Sequence, residues 1–296
     1  MDRRLTPVEQ PRPGRRSSIT DPSDPRVDDY RDLRRTAGHP PPHRLPARLV
    51  PAHLVPAHLV VEGHVAIRRL LSTRLRLRSV LVSPRGARLL ADDLAEVSVP
   101  VFEAAPEVLT AIVGFDLHRG SLAVAERPEE RRVDDVLRDA ALAVALEGVN
   151  DNENLGAVAR AVVALGGDAL LLAPGCADPL HRRSIRVSMG HVLALPVATL
   201  PSWPADLERL RAQGWLVAAL TPDPGAAPLA MLVAEDAPRL LLLLGAEGGG
   251  LSPAALAAAD RRIRIPMVAG VDSLNVAHAA AVALSHVGRA ARAARG

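Results

Sequence analysis

Four short runs of apolar residues constrain the fold of the second half of this 296-residue chain. They read ALAVAL, ALLLA, WLVAAL and LLLLL, and they begin at residues 141, 169, 215 and 240. A strand with one wet face alternates apolar and polar residues, whereas a strand buried on both faces is apolar throughout. Segments with helical spacing, such as NLGAVARAVVALGG and ADLERLRAQG, separate the runs. The pattern therefore predicts an α/β fold with a parallel sheet covered by helices on both faces.

A smaller α/β pattern precedes these runs. LVVEGHVAIRRLLSTRL, which begins at residue 59, has the spacing of an amphipathic helix, and RSVLVSP, which begins at residue 78, has that of a strand. Further short helices and strands follow up to residue 128. We therefore predict two domains, a small α/β domain over residues 19–128 and a larger one over residues 140–296.

The other segments are predicted to be irregular. Residues 1–18 have the Arg/Pro-rich composition of a disordered tail, and residues 129–139 form a charged linker. Residues 40–58 are rich in Pro and His, and PAHLV occurs twice in tandem, at 51–55 and 56–60, which makes His53 and His58 candidate metal ligands. Prolines in each repeat oppose a regular helix that would carry both imidazoles on one face. We therefore predict an irregular loop there and no metal site.

Composition narrows the location and the partners. The single cysteine, Cys176, excludes a disulfide framework and a multi-cysteine zinc site, and it fits a reducing compartment. No apolar run reaches the length of about 18 residues that a membrane-spanning helix needs. The N-terminus has no apolar signal-peptide core, so we expect a cytoplasmic protein without a membrane partner. All basic residues other than histidine are arginines, and the net charge of +3 allows an RNA partner without requiring one.

Three glycine-containing and polar segments follow predicted strands, at the carboxyl ends where open α/β sheets bind ligands. They are NDNENLGAVAR (150–160), LLLLLGAEGGGLS (240–252) and RIRIPMVAGVDSLNVAHAAAVAL (262–284). We expect a helix to begin near Asn154, and we expect Ser273 and Asn275 to cap an Ala-rich helix. The glycines of the second segment lack the G-x-G-x-x-G spacing of a dinucleotide site. Taken singly, each segment fits ordinary capping or turn formation.

Taken together, in order and spacing, the three segments resemble the motifs of the SpoU/TrmH-like RNA 2′-O-ribose methyltransferases of the SPOUT superfamily. The matching stretches are NLGAVAR from Asn154, GAEGGGL from Gly245, IPM from Ile265 and SLNV from Ser273. The connecting RRSIRVSMGHVLALPV resembles the family's middle region. LVVEGHVAIRRLL and HRGSLAV resemble, more loosely, the family's N-terminal substrate-recruiting domain.

The resemblance implies a fold, a cofactor and an assembly. The family's fold is a SPOUT domain, a parallel sheet whose C-terminal segment is threaded into a deep trefoil knot, and its members are generally homodimers. They bind S-adenosyl-L-methionine in the knot, largely through backbone groups. Carried over to this chain, the cofactor-binding residues are Leu244, Gly245, Glu247, Gly250, Ile265, Met267 and Leu274.

The resemblance also implies catalytic residues. These are Arg160, helped by Asn154, Ser273 and Asn275. A ribose 2′-hydroxyl must be positioned and must lose its proton during methyl transfer. Because arginine is a poor general base, two roles stay open for Arg160: the base, or the group that binds the target phosphate and orients the hydroxyl.

Other ionisable residues have further candidate roles. His191 and His278 are alternative bases, although a single histidine near a helix is more often a packing or surface residue. Arg182, Arg183 and Arg186 suit contacts with RNA phosphates. No metal ion is implied, since the positive charge of the sulfonium disappears in the reaction.

The target RNA is left open by the sequence. An extra N-terminal domain favours rRNA over tRNA, because it suggests target recruitment beyond the catalytic fold. A non-catalytic RNA-binding protein that keeps the fold is a further alternative. The presence of all the matched residues, from Asn154 and Arg160 to Asn275, speaks against it.

Overall fold

The structure, a computed structural model, describes residues 16–31, 33, 57–117, 120–232 and 238–293, with side chains up to residue 288. The described residues form two compact units that divide between Arg127 and Pro128. Within them, no helix has the length and apolar character needed to cross a bilayer. The predicted loop at 40–58 lies outside the described residues except for its end, as does His53.

The first unit contains five strands and four helices within its described part. In chain order these are β1 (Arg16–Ile19), β2 (His58–Glu62), α1 (His64–Leu71), β3 (Leu77–Val82), α2 (Pro84–Leu89), α3 (Ala91–Ala95), β4 (Val101–Ala104), α4 (Pro106–Val113) and β5 (Ser121–Glu126). A 3-10 helix, Pro25–Tyr30, follows β1. The strands form one mixed sheet in the order β1-β4-β3-β5-β2.

Apolar side chains from this sheet pack against α4 and the 3-10 helix. Phe102, Leu122 and Ile112 belong to the core cluster, together with Tyr30. The Tyr30 hydroxyl lies 2.7 Å from Ser79 Oγ inside this core, which satisfies a buried polar group. Burial raises the pKa of Tyr30, so the phenol stays protonated.

Two predictions for this unit are wrong in detail. Residues 16–18, assigned to a disordered tail, belong to β1, which pairs in parallel with β4. The helix predicted from residue 59 is instead β2 followed by α1. Gly63, with φ of 93°, separates them, a backbone conformation that favours glycine. The apolar LVVE stretch pairs with β5, because the sheet offers it hydrogen bonds that helical spacing alone does not reveal.

The second unit contains seven strands and six helices within its described part. They are α5 (Val133–Val136), β6 (Leu142–Glu147), α6 (Asn152–Ala164), β7 (Ala169–Leu172), α7 (Arg182–Val187), β8 (Val197–Thr199), α8 (Ala205–Ala212), β9 (Leu216–Leu220), β10 (Ala227–Pro228), β11 (Leu240–Gly245), α9 (Pro253–Ala258), β12 (Arg261–Arg264) and α10 (Val276–Ala293).

The second sheet has the order β10-β12-β9-β11-β6-β7-β8, and every pairing in it is parallel. One face packs on α5, α8 and α9 through a cluster that includes Ala145, Leu207 and Leu243. On the other face α10 packs on α6, and α6 on α7. Residues of both strand faces, such as Leu242 and Leu243, are fully buried. The predicted parallel sheet with helices on both faces is confirmed.

The charged linker predicted at 129–139 is part of this unit. Arg131 forms a parallel bridge with Ala198 at the β8 edge of the sheet. Val133 and Val136 of α5 then enter the core cluster. The Arg239 guanidinium lies over the Trp215 ring, 4.5 Å from its centroid, and donates to the carbonyl of Leu137. The polar composition of the segment hides these few apolar anchors.

Candidate functional site

The carboxyl ends of the central strands meet at a pocket of about 400 Å³. Neighbouring β9 and β11 end there, and the segment that follows β12 returns across them to α10. All seven residues predicted to bind the cofactor line this pocket, and so do Ser273 and Asn275. The two later motifs, which are separated by a strand and a helix in the sequence, therefore form one cavity.

The glycine-rich segment after β11 folds back tightly on the strand. The Gly250 N–H donates to the Ala246 carbonyl at 2.9 Å, which closes a turn around Glu247. A Cβ on Gly245 would lie 2.0 Å from the Gly250 carbonyl carbon. Gly248 and Gly250 have φ of 83° and 63°. Glycine is therefore required here by close approach at Gly245 and by left-handed backbone in the turn.

Asn275 joins this turn to the other two segments. Its Nδ2 donates to Asn154 Oδ1 at 2.9 Å and also to a Glu247 carboxylate oxygen. Its Oδ1 accepts from the Ala277 N–H at 2.9 Å, which caps α10 and fixes which way the amide faces. Both amide hydrogens and the amide oxygen are used, so aspartate could not replace asparagine without losing both donated bonds. One side chain thus connects all three sequence motifs.

The helix of the first motif, α6, begins at Asn152, two residues before the predicted start near Asn154. The Asp151 carboxylate accepts from the Glu153 and Asn154 N–H groups at 2.9 and 2.8 Å, so it is the N-cap of α6. Asn154 is therefore in the first helical turn, which leaves its side chain available to Asn275. The sequence predicted this start only to within two residues, because NDNEN offers several residues with capping side chains.

Gly156 allows α7 to approach α6 closely. A Cβ there would lie 2.6 Å from the Ser184 carbonyl oxygen of α7.

The other predicted catalytic residues do not join the hydrogen-bonded group of Asn275, Asn154 and Glu247. Arg160 lies exposed on α6 and makes no hydrogen bond or ion pair with the described residues. Ser273 lines the pocket but does not cap α10, contrary to expectation, because the Asn275 side chain alone reaches the first turn. His278 is exposed on α10, and His191 is partly buried in a 3-10 turn after α7.

Comparison with known proteins assigns the chain to a family. The model of the SpoU rRNA Methylase family matches residues 141–285. A Mycobacterium tuberculosis protein named as an uncharacterized tRNA/rRNA methyltransferase is 42% identical over 266 residues, covering 90% of this chain and 89% of its own. The chain belongs to the SpoU methylase family. The family predicted from the three motifs is thereby confirmed.

Two further relatives extend the comparison within the SpoU family. The 23S rRNA (guanosine(2553)-2′-O)-methyltransferase RlmP of Bacillus subtilis is 27% identical, covering 77% of this chain and 87% of its own. The crystal structure of the SpoU methyltransferase AviRb from Streptomyces viridochromogenes, in complex with the cofactor AdoMet, has a TM-score of 0.68 at 25% identity. The match covers 79% of this chain and 90% of that one. The α/β fold with parallel-rich sheets is thus the one found in SpoU methyltransferases.

Three pocket residues of this SpoU-family chain lie outside the three sequence segments. Leu220 ends β9, Thr221 and Pro222 follow it, and together they form one side of the cavity. The WLVAAL run predicted the strand, and a polar turn follows it, so a signal was present. The sequence alone could not show that this turn lines the pocket. The pairing of β9 with β11 brings the carboxyl end of β9 to the pocket, and that pairing is known only from the strand order.

The predicted RNA-binding arginines lie on or beside α7. The Arg183 side chain is exposed, whereas Arg186 lies 3.5 Å from a Glu153 carboxylate oxygen. Arg182 is partly buried at the start of the helix. Of the three, Arg183 presents the most accessible charge.

Cys176, the single cysteine of the chain, lies beside the end of β6. Its Sγ lies 3.2 Å from the Leu146 carbonyl oxygen. Burial raises the pKa of the Cys176 thiol to about 11, so it stays protonated near neutral pH.

Proposed function

We propose that the protein transfers a methyl group from S-adenosyl-L-methionine to a ribose 2′-hydroxyl of RNA, with rRNA as the target. The observation that carries the proposal is the pocket at the ends of β9 and β11, with Asn275 joining it to the first motif. Membership of the SpoU family and the activity in the name of RlmP support it.

The described pocket suits S-adenosyl-L-methionine in size and chemistry. A volume of about 400 Å³ falls in the usual range of small-molecule sites. Leu244, Ile265 and Met267 offer apolar surface for a nucleobase, and the glycine turn lets backbone groups approach a ligand closely. Glu247 is the one ionisable side chain among the described lining residues, and its charge suits a cationic ligand. When bound, this cofactor supplies an electrophilic methyl group on a sulfonium.

The chain's own residues position the reacting groups in this proposal. Asn275 keeps the first turn of α6 and the glycine turn at fixed positions beside the pocket. Arg160 binds the target phosphate and orients the 2′-hydroxyl, a role that its exposed guanidinium suits better than proton abstraction. In this proposal the hydroxyl proton leaves during transfer, and the target phosphate that Arg160 binds assists its removal.

RNA contacts are proposed for both units. Arg183, exposed on α7, is available to phosphates with Arg182 and Arg186 nearby in sequence. The first unit is proposed as an RNA-recruiting domain, and its presence favours rRNA over tRNA. The name of RlmP, a 23S rRNA methyltransferase whose match covers 77% of this chain, is a second reason to favour rRNA. An RNA-modifying role is consistent with a cytoplasmic location.

We also propose a trefoil knot and a homodimer for the second unit. The return of the chain from β12 to α10 past the glycine turn, with Asn275 bonded to that turn, supports a threaded segment. Exposed apolar side chains at Val268, Val271 and Val282 support a second copy packing on this side. Molar mass by light scattering tests the dimer, and a monomer at micromolar concentration would contradict it.

Labelled methyl transfer tests the function. The purified protein is incubated with methyl-labelled S-adenosyl-L-methionine and unmodified rRNA or tRNA, and digested nucleosides are resolved by mass spectrometry. We expect label in a 2′-O-methylated nucleoside of rRNA. Label in tRNA alone would make tRNA the target in place of rRNA. Label on a base would overturn the assignment of the ribose as the methylated group. Cofactor binding without transfer to either RNA would favour a non-catalytic RNA-binding protein.

A further inference from the structure

Glu147 occupies an unexplained position behind the pocket. It is the last residue of β6, directly opposite Gly245 in the register of β11, and it is partly buried. It does not line the pocket. Polar side chains at the carboxyl end of a central strand are where function concentrates in parallel α/β sheets. Its contacts show what such a carboxylate does here.

Both Glu147 oxygens accept hydrogen bonds from N–H donors. Oε1 accepts from Trp203 Nε1 at 2.6 Å, and Oε2 accepts from the backbone N–H of Ser252 at 2.8 Å. An ionised carboxylate is the side-chain group that can accept at both oxygens, whereas an amide of the same shape would turn an NH₂ towards one of the two donors. The site therefore requires a carboxylate rather than any polar group of this size.

Ser252 is where the glycine turn ends. Its hydroxyl caps α9 by accepting from the Ala255 N–H at 3.2 Å, while its own N–H is held by Glu147. The preceding residues, Gly250 and Leu251, are the ones packed against Gly245. Glu147 thus fixes the exit of the turn to β6, just as the strand register fixes its entry at Gly245.

We propose that Glu147 is a positioning residue for the pocket: its carboxylate holds the 246–252 turn in the shape that presents Glu247 and Gly250 to the ligand. The identity of that ligand rests on the proposed function. A charge-assisted hydrogen bond contributes more than a neutral one, so its loss lets the turn move away from Gly245. The pocket wall then loosens while the sheet beneath it stays intact.

Asp260 provides a matched control at the amino ends of the strands of the same sheet, opposite to the pocket end. One of its carboxylate oxygens accepts from Arg211 Nε at 2.6 Å and the other from the Val217 N–H at 2.9 Å. It therefore also satisfies two donors, one from a side chain and one from the backbone. It does not line the pocket, so Asp260→Asn reports what the same chemical change does to stability alone.

The test compares Glu147→Gln with Asp260→Asn in the full-length protein. Hydrogen exchange without ligand is followed at the amides of residues 246–252, and binding of S-adenosyl-L-methionine is measured by calorimetry. We expect faster exchange in this segment and a rise in Kd of about tenfold for Glu147→Gln, the change that one charged hydrogen bond represents. In methyl transfer, KM for the cofactor should rise with little change in kcat. Asp260→Asn should leave the exchange and Kd close to wild type.

Unchanged exchange and affinity in Glu147→Gln would overturn the proposal, and so would an equal loss of affinity in Asp260→Asn. If Glu147→Gln does not fold, Glu147→Asp, which keeps the charge on a shorter side chain, is measured in its place with the same expectation. If the wild-type protein does not bind S-adenosyl-L-methionine, the proposed function fails. Exchange in residues 246–252 then decides the role of Glu147 by itself.

Discussion

At the scale of single residues, Gly245 is the position where the backbone leaves least room. An added methyl group would meet the Gly250 carbonyl carbon at 2.0 Å, and backbone cannot move aside as a flexible side chain can. Gly245→Ala should therefore open the turn and weaken binding of S-adenosyl-L-methionine by about tenfold or more, the effect of typical overpacking. Calorimetry measures this directly.

Gly249 offers the control for that substitution within the same turn. A Cβ there would meet nothing within 4 Å, and its backbone is not left-handed. Gly249→Ala should bind the cofactor as wild type does. Equal affinity in the two variants would show that the packing at Gly245 does not shape the pocket.

Arg160 is the residue whose role depends most on the substrate. Since it makes no bond to the described residues, Arg160→Ala should leave cofactor affinity and melting temperature close to wild type. Methyl transfer should fall by about 100-fold or more, because orientation of the reacting hydroxyl is lost. Single-turnover transfer with saturating cofactor measures it, and a fully active variant would contradict the proposed role.

At the residue level, the sequence predicted which residues would lie together where a motif fixed their positions, but not where neighbouring residues decided them. All seven predicted cofactor residues line the pocket, because the motifs carry both the glycines and the strand ends. The start of α6 was predicted only to within two residues, since Asp151 and several adjacent side chains are able to cap it. Glu147 was missed because its partners, Trp203 and Ser252, are distant in sequence.

At the scale of elements, α10 approaches the end of α6 closely at Gly288. A Cβ on Gly288 would lie 2.1 Å from the Leu165 carbonyl oxygen, at the end of α6. Gly288→Ala should push α10 outward and lower the free energy of unfolding by about 1–3 kcal/mol. Chemical denaturation measures the change, and Ser285→Ala on the same helix should alter it by less than about 0.5 kcal/mol.

The elements show why short strands are harder to predict than buried ones. The apolar runs at β6, β9 and β11 clearly predict buried strands, because a helix with one solvent-exposed face would have polar residues within them. β1 was missed since RSSI is short and polar and pairs only with β4 at the sheet edge. β2 was merged with α1, because LVVE fits either structure until its pairing with β5 is known.

At the scale of the whole molecule, the boundary between the two units determines which fragment can fold. The sequence suggested that the catalytic domain begins at residue 140, but Val133, Val136 and Leu137 belong to its core. A fragment of residues 128–296 should unfold cooperatively, whereas one of residues 140–296 should lose several kcal/mol through the exposed cavity. Thermal melts followed by circular dichroism separate them, and equal melting temperatures would show that α5 is dispensable.

The sequence predicted the two-domain α/β organisation but not this boundary. Residues 129–139 are mostly charged, and their composition conceals the three apolar residues that enter the core, Val133, Val136 and Leu137. Their burial depends on β8, whose edge accepts the bridge from Arg131. Whether such residues are buried depends on the three-dimensional arrangement of the sheet, which the order of residues along the chain does not show.

The bond between Trp203 and Glu147 gives the protein an optical reporter. The indole N–H of Trp203 ends on the carboxylate that holds the glycine turn, while the other tryptophan, Trp215, is buried beneath Arg239. Indole fluorescence responds to hydrogen bonding at this nitrogen and to nearby charge. A change in the turn on ligand binding will therefore alter the emission of Trp203, so the motion can be timed in solution without an attached dye.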